Sequence, residues 1–590
     1  MFASHLMNMC GIIGYVGEGD ANSVVVRGLK GLTYRGYDSC GIAVLSNGTL
    51  TIKKDIGKIE DVDAKLNFSE PRGKIAIGHT RWATHGGVSP VNSHPHSDCT
   101  GTIAIVHNGI IENYNELKRR LEARGHKFKS QTDSEVIAHL IEELDSGSFW
   151  DACKKAFSLL RGSFAVLAIK AGEDVIVGVR KDSPLVIGIG KDENFVASDI
   201  YAILPFTKNV IFLQNYDMLL LRADGLKIEN LKHGSVEPRI ETLDVQRAEA
   251  DKKNFHHFMI KEIMEQAEAF ERAFKQDSSK IEKIVEAIKK AKSVVLLAAG
   301  TSYHACLAAN YFFSRAKVFS KAVVASEFDN FLDLVDRDTL IIAASQSGET
   351  ADVLHAIRKA KERGAMVVSI VNVYGSSLAR ESDESLMMNA GPEVGVAATK
   401  TYITELAIFL LLYSRLTCKE FIVDEIKAKI LDLLSRSRRE YIERVAEKLK
   451  DKNHVFLIGR GLGFITALEA ALKIKEISYI HAEAFPGGEI KHGTIALIEN
   501  GTPCIVFVGR ENKDDVLANA HELRARGGFI VGVAEENSKI FDLWIKVPED
   551  GEASLIYQII PMQLLAYMLA VMRGCDPDHP RSLAKSVTVK

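Results

Sequence analysis

No two of the eight cysteines form a C-x-x-C pair; Cys10, Cys40, Cys99, Cys153, Cys306, Cys418, Cys504 and Cys575 are scattered singly through 590 residues. That argues against a disulfide framework and a paired-thiolate zinc site, and it fits a reducing cytosol. Charge of one sign is lacking too: 74 Lys+Arg against 77 Asp+Glu leave a formal net charge of −3. Nucleic-acid binders ordinarily carry a basic excess, so no nucleic-acid partner is expected. Residues 1–9 (MFASHLMNM) have neither a basic start nor an apolar run and do not read as a signal peptide. Leu555 to Met572 is the one uncharged stretch of membrane-spanning length, and it contains Gln558, Pro561 and Gln563. It reads as a strand end or turn breaking at Pro561, followed by a buried helix, so no membrane partner is expected.

A chain of this length is too long for one hydrophobic core and implies about three to five domains. Up to residue 221, short apolar runs such as Gly11-Ile-Ile-Gly-Tyr-Val16, Ile103-Ala-Ile-Val106 and Phe164-Ala-Val-Leu-Ala-Ile169 alternate with turn signals. Many strands with few helices predict an α+β domain with antiparallel sheet over 10–221. A charged, helix-rich linker is expected over 222–284. Beyond it, strand–turn–helix units predict doubly wound α/β domains over 285–424 and 445–580, with a tail at 581–590.

The second half also resembles itself. Val294-Val-Leu-Leu-Ala-Ala-Gly300 matches Val455-Phe-Leu-Ile-Gly-Arg-Gly461 at an offset of 161, and Asp352-Val-Leu354 matches Asp515-Val-Leu517 at 163. The nearly constant register predicts a duplicated domain, with a period far too long for a solenoid.

Cys10 opens the run Cys-Gly-Ile-Ile-Gly. If the mature chain begins there, its α-amine lies beside its thiol, and an amine with a pKa of about 7.7–8.0 is a base suited to neutral pH. A lone cysteine is ordinarily a buried packing residue. This one is followed, in order, by Tyr34-Arg-Gly-Tyr-Asp-Ser39, His79-Thr-Arg-Trp-Ala-Thr-His85, Asn92-Ser-His-Pro-His96, His107-Asn-Gly109 and Thr132-Asp-Ser134. Together these strings resemble the class II (N-terminal-nucleophile) glutamine amidotransferases over the whole of 10–221, which implies an αββα sandwich.

Glutamine has an α-carboxylate suited to a guanidinium fork, for which Arg81 fits, and an α-ammonium for which Asp133 fits. The resemblance implies Cys10 as nucleophile and the Asn108 side chain with the Gly109 N–H as oxyanion donors. It also implies Thr84 and His85 at the glutamine site and Trp82 as a lid. The five histidines from His79 to His107 have no spacing that puts two ligands on one helix face, and the resembled family needs no metal, so no cofactor is expected.

Ser345-Gln-Ser-Gly-Glu-Thr350 lies between an apolar strand and a helix, where hydroxyls and free N–H groups bind phosphate. N-capping accounts for only one of these hydroxyls. Gly300-Thr-Ser302 repeats the arrangement after the preceding strand. These turns resemble the sugar-isomerase domain. Gly391-Pro-Glu-Val-Gly-Val-Ala-Ala-Thr-Lys400, Leu472-Lys-Ile-Lys-Glu-Ile-Ser-Tyr-Ile-His-Ala-Glu483, Gly488-Glu-Ile-Lys-His-Gly493 and Leu583-Ala-Lys-Ser-Val-Thr-Val589 are similar to the isomerase half of the glucosamine-6-phosphate synthase family.

That resemblance implies Ser302, Ser345, Gln346, Ser347 and Thr350 at the phosphate, and Thr301 with the Val396 backbone along the sugar. It implies Glu476 as the base moving a proton from C1 to C2, Lys473 as charge stabiliser, His492 in ring opening and Lys585 as the Schiff-base lysine. From spacing alone, Glu469, Lys473 and Glu476 also fit a surface ion-pair ladder. Ala299 and Ala398 stand where the family commonly has a thiol and a hydroxyl. The motifs of phosphoribosylamine-forming amidotransferases and asparagine synthetases are absent, and retention of the catalytic set argues against a sensing protein with a vestigial glutaminase. The implied function is conversion of fructose 6-phosphate and L-glutamine to glucosamine 6-phosphate and L-glutamate, with internal ammonia transfer, by a cytosolic homodimer.

Overall fold

The computed structural model describes residues 10–33, 36–82, 85–243 and 252–587. They divide into two compact units, one holding the residues up to 243 with Ser586 and Val587, the other residues 252–585.

The first unit contains two antiparallel sheets. The eight-stranded sheet runs Glu241–Thr242, Asn209–Phe212, Val186–Ile189, Glu193–Ala197, Gly11–Gly17, Ile75–Arg81, Ser39–Ser46, Thr49–Ile56. The seven-stranded sheet runs Gly234–Ser235, Leu226–Asn230, Asp217–Leu221, Ile176–Lys181, Gly162–Lys170, Ile103–Ile111, His96–Ser97. Period-2 alternation sends one set of apolar side chains between the sheets and the other outward. Ile12, Val16 and Ile77 thus meet Val106, Leu167 and Leu219 in the middle layer. The outward sets are covered by helices Ala21–Lys30 and Ile59–Leu66 on one side. Helices Tyr114–Glu122, Glu135–Leu144 and Phe149–Ser158 cover the other, completing an αββα sandwich. Register brings the functional residues together. Gly11 pairs with Thr80, so Cys10 emerges beside the strand end carrying Arg81 and Trp82.

The second unit contains two five-stranded parallel sheets with one strand order. The first runs Ser320–Val324, Ser293–Ala298, Thr339–Ser345, Met366–Val371, Glu384–Met387, and the second His481–Pro486, His454–Gly459, Pro503–Phe507, Phe529–Ala534, Leu543–Lys546. Runs such as Leu340-Ile-Ile-Ala343 are apolar at every position because helices cover both faces of a parallel sheet. Each sheet reverses direction of growth between its first two strands in sequence that flank the centre. In the first sheet these are Ser293–Ala298 and Thr339–Ser345, and such a switch point opens a crevice at the strands' carboxyl ends. The loops leaving those two strands carry Gly300-Thr-Ser302 and Ser345–Thr350. Helix Gly300–Arg315 packs on helix Leu462–Ser478 of the second lobe.

Two expectations need correction. The 222–284 segment is not a linker. Leu226–Asn230, Gly234–Ser235 and Glu241–Thr242 extend the first unit's sheets, with Leu219 opposite Ile228. Helices Phe258–Met264, Gln266–Phe274 and Ser278–Lys290 give Met259, Phe270 and Ile284 to the second unit's core. Charged residues of this segment such as Lys227 and Glu268 are exposed, but Lys261 and Glu262 are buried, and Glu262 accepts the Val394 and Gly395 N–H groups. Nor does Pro561 break its segment: Ser554–Met572 is one helix with Pro561 inside. Proline removes one N–H bond and crowds the carbonyl four residues back. Packing against helices Arg436–Leu449 and Leu462–Ser478 holds the helix regardless. Gln558 and Gln563 donate to the carbonyls of Val508 and Thr399 at 3.4 and 3.3 Å. Among the described residues Gly551–Met572 is the one helical stretch long and apolar enough to cross a membrane, and 78% of its apolar window is buried inside the protein.

Phe195 is fully buried between Tyr15 and Phe206, at ring-centroid distances of 5.3 and 5.0 Å. It lies on the strand that pairs with Gly11–Gly17. Phe195→Ala is expected to destabilise the first unit by about 3–5 kcal/mol, the ordinary cost of emptying a buried aromatic site. Urea unfolding followed by the fluorescence of Trp82 and Trp150 checks this.

Candidate active site

Cys10 lies at the start of its strand with its sulfur accepting the Trp82 N–H at 3.3 Å. Its carbonyl accepts Asn108 Nδ2 at 2.7 Å, a bond between the two sheets. The Asn108 side chain also meets the His79 imidazole, so it is held from more than one side. Gly109 follows with φ +116°, and a Cβ there would sit 2.0 Å from the Ser163 carbonyl oxygen, so no side chain fits. Burial pushes the Cys10 thiol up to about 11, against the opposing pull of the Trp82 N–H and the Arg81 guanidinium. A thiol so placed is not a nucleophile at neutral pH without a base.

The Arg81 guanidinium is buried and donates to the carbonyls of His85, Gly86 and Gly87 at 2.6, 3.2 and 3.4 Å. Part of its fork therefore shapes the loop that follows it. The Asp133 carboxylate, also buried, accepts the Ile111 N–H at 2.8 Å and so points to the strand carrying Asn108. Trp82 meets Tyr37 edge to face at 5.1 Å, and His85 meets Tyr114 at 5.7 Å. Thr84 lies outside the described residues. His79 and His94 stack at 4.1 Å, and His107 binds the Ser134 hydroxyl at 2.8 Å. Burial lowers all four of His79, His94, His96 and His107, so these imidazoles are neutral packing and hydrogen-bonding groups.

In the second unit, the hydroxyls expected at a phosphate gather at the switch point. Ser345 Oγ lies 2.9 Å from Thr350 Oγ1 and accepts the Gly348 N–H at 3.1 Å, while Ser347 Oγ accepts the Glu349 N–H at 3.2 Å. Thr350 precedes helix Ala351–Glu362 yet its side chain makes no capping bond, so capping does not account for it. Gln346 is half-buried in the same turn.

Across the lobes, Thr301 Oγ1 donates to Glu469 at 3.1 Å and accepts from Lys473 Nζ at 3.1 Å, and Lys473 also reaches Glu476 at 2.6 Å. Glu469 and Lys473 are fully buried, which removes the surface-ladder reading. Burial would lower the Lys473 ammonium, but Glu476 and Glu469 outweigh it and the net shift is upward. Ser302 donates to the buried Glu405 at 2.6 Å, a carboxyl that burial raises to about 8.

Lys585, from the chain end, is inside. Its Nζ donates to Glu393 at 2.5 Å and to the Gly395 carbonyl at 2.8 Å, with the lysine side chain 4% exposed and Glu393 fully buried. Burial raises the Glu393 carboxyl, and the Lys585 ammonium overrides that to a net shift downward. The Val396 N–H is taken by the Asp578 carbonyl at 3.3 Å. His492 ends a short 3-10 turn, is exposed, and among the described residues has no hydrogen bond joining it to this cluster. Sequence reasoning missed Glu393, Glu405 and His304, whose Nδ1 meets Glu469 at 2.7 Å. Glu393 lay inside a quoted motif without a role.

Comparison with known proteins agrees with this division. The SIS domain model matches residues 287–415 and 448–573, and the Glutamine amidotransferase domain model matches 79–205. The chain is 46% identical to proteins named glutamine–fructose-6-phosphate aminotransferase [isomerizing] from Thermococcus kodakarensis and from Pyrococcus horikoshii. Each match covers 99% of this chain and 100% of the relative. Among solved structures, the C-terminal domain of glucosamine-fructose-6-phosphate aminotransferase from Francisella tularensis is 34% identical, with a TM-score of 0.52 over 56% of this chain and 100% of that one. Tagatose-6-phosphate ketose/aldose isomerase from Escherichia coli, 21% identical with a TM-score of 0.50 over 55% of this chain and 98% of that one, shares the fold of the same region. The chain therefore belongs to the glutamine–fructose-6-phosphate aminotransferase (isomerizing) family.

Proposed function

We propose that this chain converts fructose 6-phosphate and L-glutamine to glucosamine 6-phosphate and L-glutamate, the entry step of amino-sugar synthesis. The observation that carries the reading is the buried Lys585–Glu393 pair, because a chain end without a task ordinarily frays.

In the glutaminase half, Cys10 attacks the glutamine side-chain carbonyl, and Asn108 Nδ2 with the Gly109 N–H receives the oxyanion. Nδ2 gives one of its two N–H groups to the Cys10 carbonyl, which leaves the other for the oxyanion. Arg81 and Asp133 hold the α-carboxylate and α-ammonium, with Trp82, Thr84 and His85 lining the site. The base is the α-amine of Cys10, in a mature chain that begins at Cys10, whether Met9 is the true start and is removed or residues 1–9 are processed away.

In the isomerase half, Ser302, Ser345, Gln346, Ser347 and Thr350 hold the phosphate, and Thr301 with the Val396 backbone lies along the sugar. Lys585 transfers its proton to Glu393 and attacks the keto carbon, losing water to form the imine. Ammonia from glutamine displaces the lysine, Glu476 moves a proton from C1 to C2, and Lys473 stabilises the negative charge formed. His492 assists ring opening. Ammonia passes internally between the halves, since free ammonia is protonated in water. The common strand order of the two parallel sheets supports a duplicated origin, and the family resemblance implies a cytosolic homodimer.

Four outcomes test this. Glutamine hydrolysis should rise with pH along a limb at the α-amine's value, about 7.7–8.0; the base works deprotonated, so activity is lost below that limb. A limb near 11, where the isolated thiol ionises, overturns the amine as base. Cys10→Ala should abolish glutamine use, measured as glutamate release, while fructose 6-phosphate binding persists; parent-rate hydrolysis excludes Cys10 as nucleophile. Lys585→Ala, or deletion of residues 582–590, should reduce glucosamine 6-phosphate formation by at least about a hundredfold while Cys10-dependent hydrolysis persists. Borohydride trapping with labelled fructose 6-phosphate should put the label on Lys585, and label on another lysine excludes this assignment.

A further inference from the structure

Away from the glutamine site, four potential metal ligands converge on the outer helical layer of the first unit. Cys99 comes from the turn before strand Ile103–Ile111, His126 from the segment after helix Tyr114–Glu122, and His139 and Glu142 from one face of helix Glu135–Leu144. Their ligand atoms all lie within 4.8 Å of one another. Cys99 Sγ is 3.7 Å from His126 Nδ1 and 3.4 Å from His139 Nδ1, while Glu142 Oε2 is 3.1 and 3.4 Å from the same two nitrogens. A tetrahedral zinc ion with a Zn–S bond of about 2.3 Å and Zn–N and Zn–O bonds of about 2.0–2.1 Å has donor–donor edges of about 3.3–3.6 Å. Those four separations are close to the edges of such a tetrahedron.

The outer contacts point the same way. His126 Nε2 faces Glu143 at 3.1 Å and His139 Nε2 faces Glu135 at 3.5 Å. A metal-bound imidazole ordinarily gives its other N–H to a carboxylate in this manner. Without an ion, each neutral ring has one N–H for two facing carboxylates. With an ion on Nδ1, both nitrogens of both rings are satisfied. The Lys127 N–H approaches Cys99 Sγ at 3.5 Å, as a donor to a thiolate.

We infer that Cys99, His126, His139 and Glu142 form a structural site for one divalent ion of zinc type. One sulfur, two nitrogens and one oxygen suit zinc, a borderline-soft cation without geometric demands of its own, rather than calcium or magnesium. Four protein donors leave no open position, so the role is structural. The ion clamps the turn at Cys99 and the segment at His126 to helix Glu135–Leu144. Glu135, which faces His139, also accepts the N–H groups of Lys129 and Ser130 at 2.7 and 2.6 Å, so the clamp continues into the loop leading to Asp133.

The test uses the full chain, stripped with a chelator and dialysed against zinc. About one equivalent should be retained by elemental analysis, with a rise in the first unit's melting temperature. Cobalt(II) in place of zinc should give intense tetrahedral d–d bands and a sulfur-to-cobalt charge-transfer band. Cys99→Ser, at an exposed position, should abolish the charge-transfer band and weaken zinc binding at least about tenfold, with unchanged circular dichroism. His126→Gln should weaken binding similarly. Glu143→Gln, altering only an outer partner, should lower affinity by about tenfold or more. Failure of the native chain to retain zinc, or a cobalt spectrum unaltered by Cys99→Ser, overturns the site.

Discussion

The second unit depends on a balance of buried charge. Glu393, Glu405, Glu469, Lys400 and Lys473 are all almost wholly shielded from water, and the Lys585 side chain joins them. Removing single ions from water costs several kcal/mol each, so such groups persist as ions only in pairs; Glu405 instead bonds the Ser302 hydroxyl, and burial raises its carboxyl to about 8. The pairing is met across elements far apart in sequence: Lys585 with Glu393, Lys473 with Glu469 and Glu476, Lys400 with Glu265. Thr301 bridges the first lobe to Glu469 and Lys473 of the second. Two lobes with the same sheet order therefore adhere through a polar centre inside an apolar contact, and the centre is also where the sugar hydroxyls and phosphate are expected.

The first unit solves a different problem. The glutamine site proposed there needs two sheets whose strands emerge with Cys10, Arg81 and Asn108 close together. Antiparallel register settles the first two, because Gly11 opposite Thr80 carries Cys10 to the end of the Arg81 strand. The bond from Asn108 to the Cys10 carbonyl settles the third. Gly109 follows from the same closeness, since the neighbouring Ser163 carbonyl leaves no room for a Cβ.

What was legible in the sequence is what chemistry compresses into short segments. Gly300-Thr-Ser302 and Ser345–Thr350 are loops at a switch point, where hydroxyls and glycine cluster within a few residues, and both carry their residue types openly. The histidine-rich strings around Cys10 were legible for the same reason. Glu393 and Lys585 are separated by most of the second unit, and a carboxylate that becomes a partner only on folding has no local signature. Cys99, His126, His139 and Glu142 were missed for that reason too, since three separate elements supply them. The strand Leu226–Asn230 resembles a linker by charge, because Lys227 and Glu229 alternate with Leu226 and Ile228, and only the period of two marks it as a strand. Pro561 misled differently: a general rule about helix interiors yields to tertiary packing when the helix is buried.

The raised Cys10 thiol has a consequence for the protein's chemical durability. With its pKa raised in this way, the thiol is held protonated at neutral pH. Peroxides and electrophilic metabolites react with thiolates, so the resting sulfur is nearly inert towards them. Its reactivity is conditional, appearing only when a neighbouring base takes the proton with glutamine seated. In the role proposed for it, Cys10 is thereby protected by the same desolvation that makes it depend on a base.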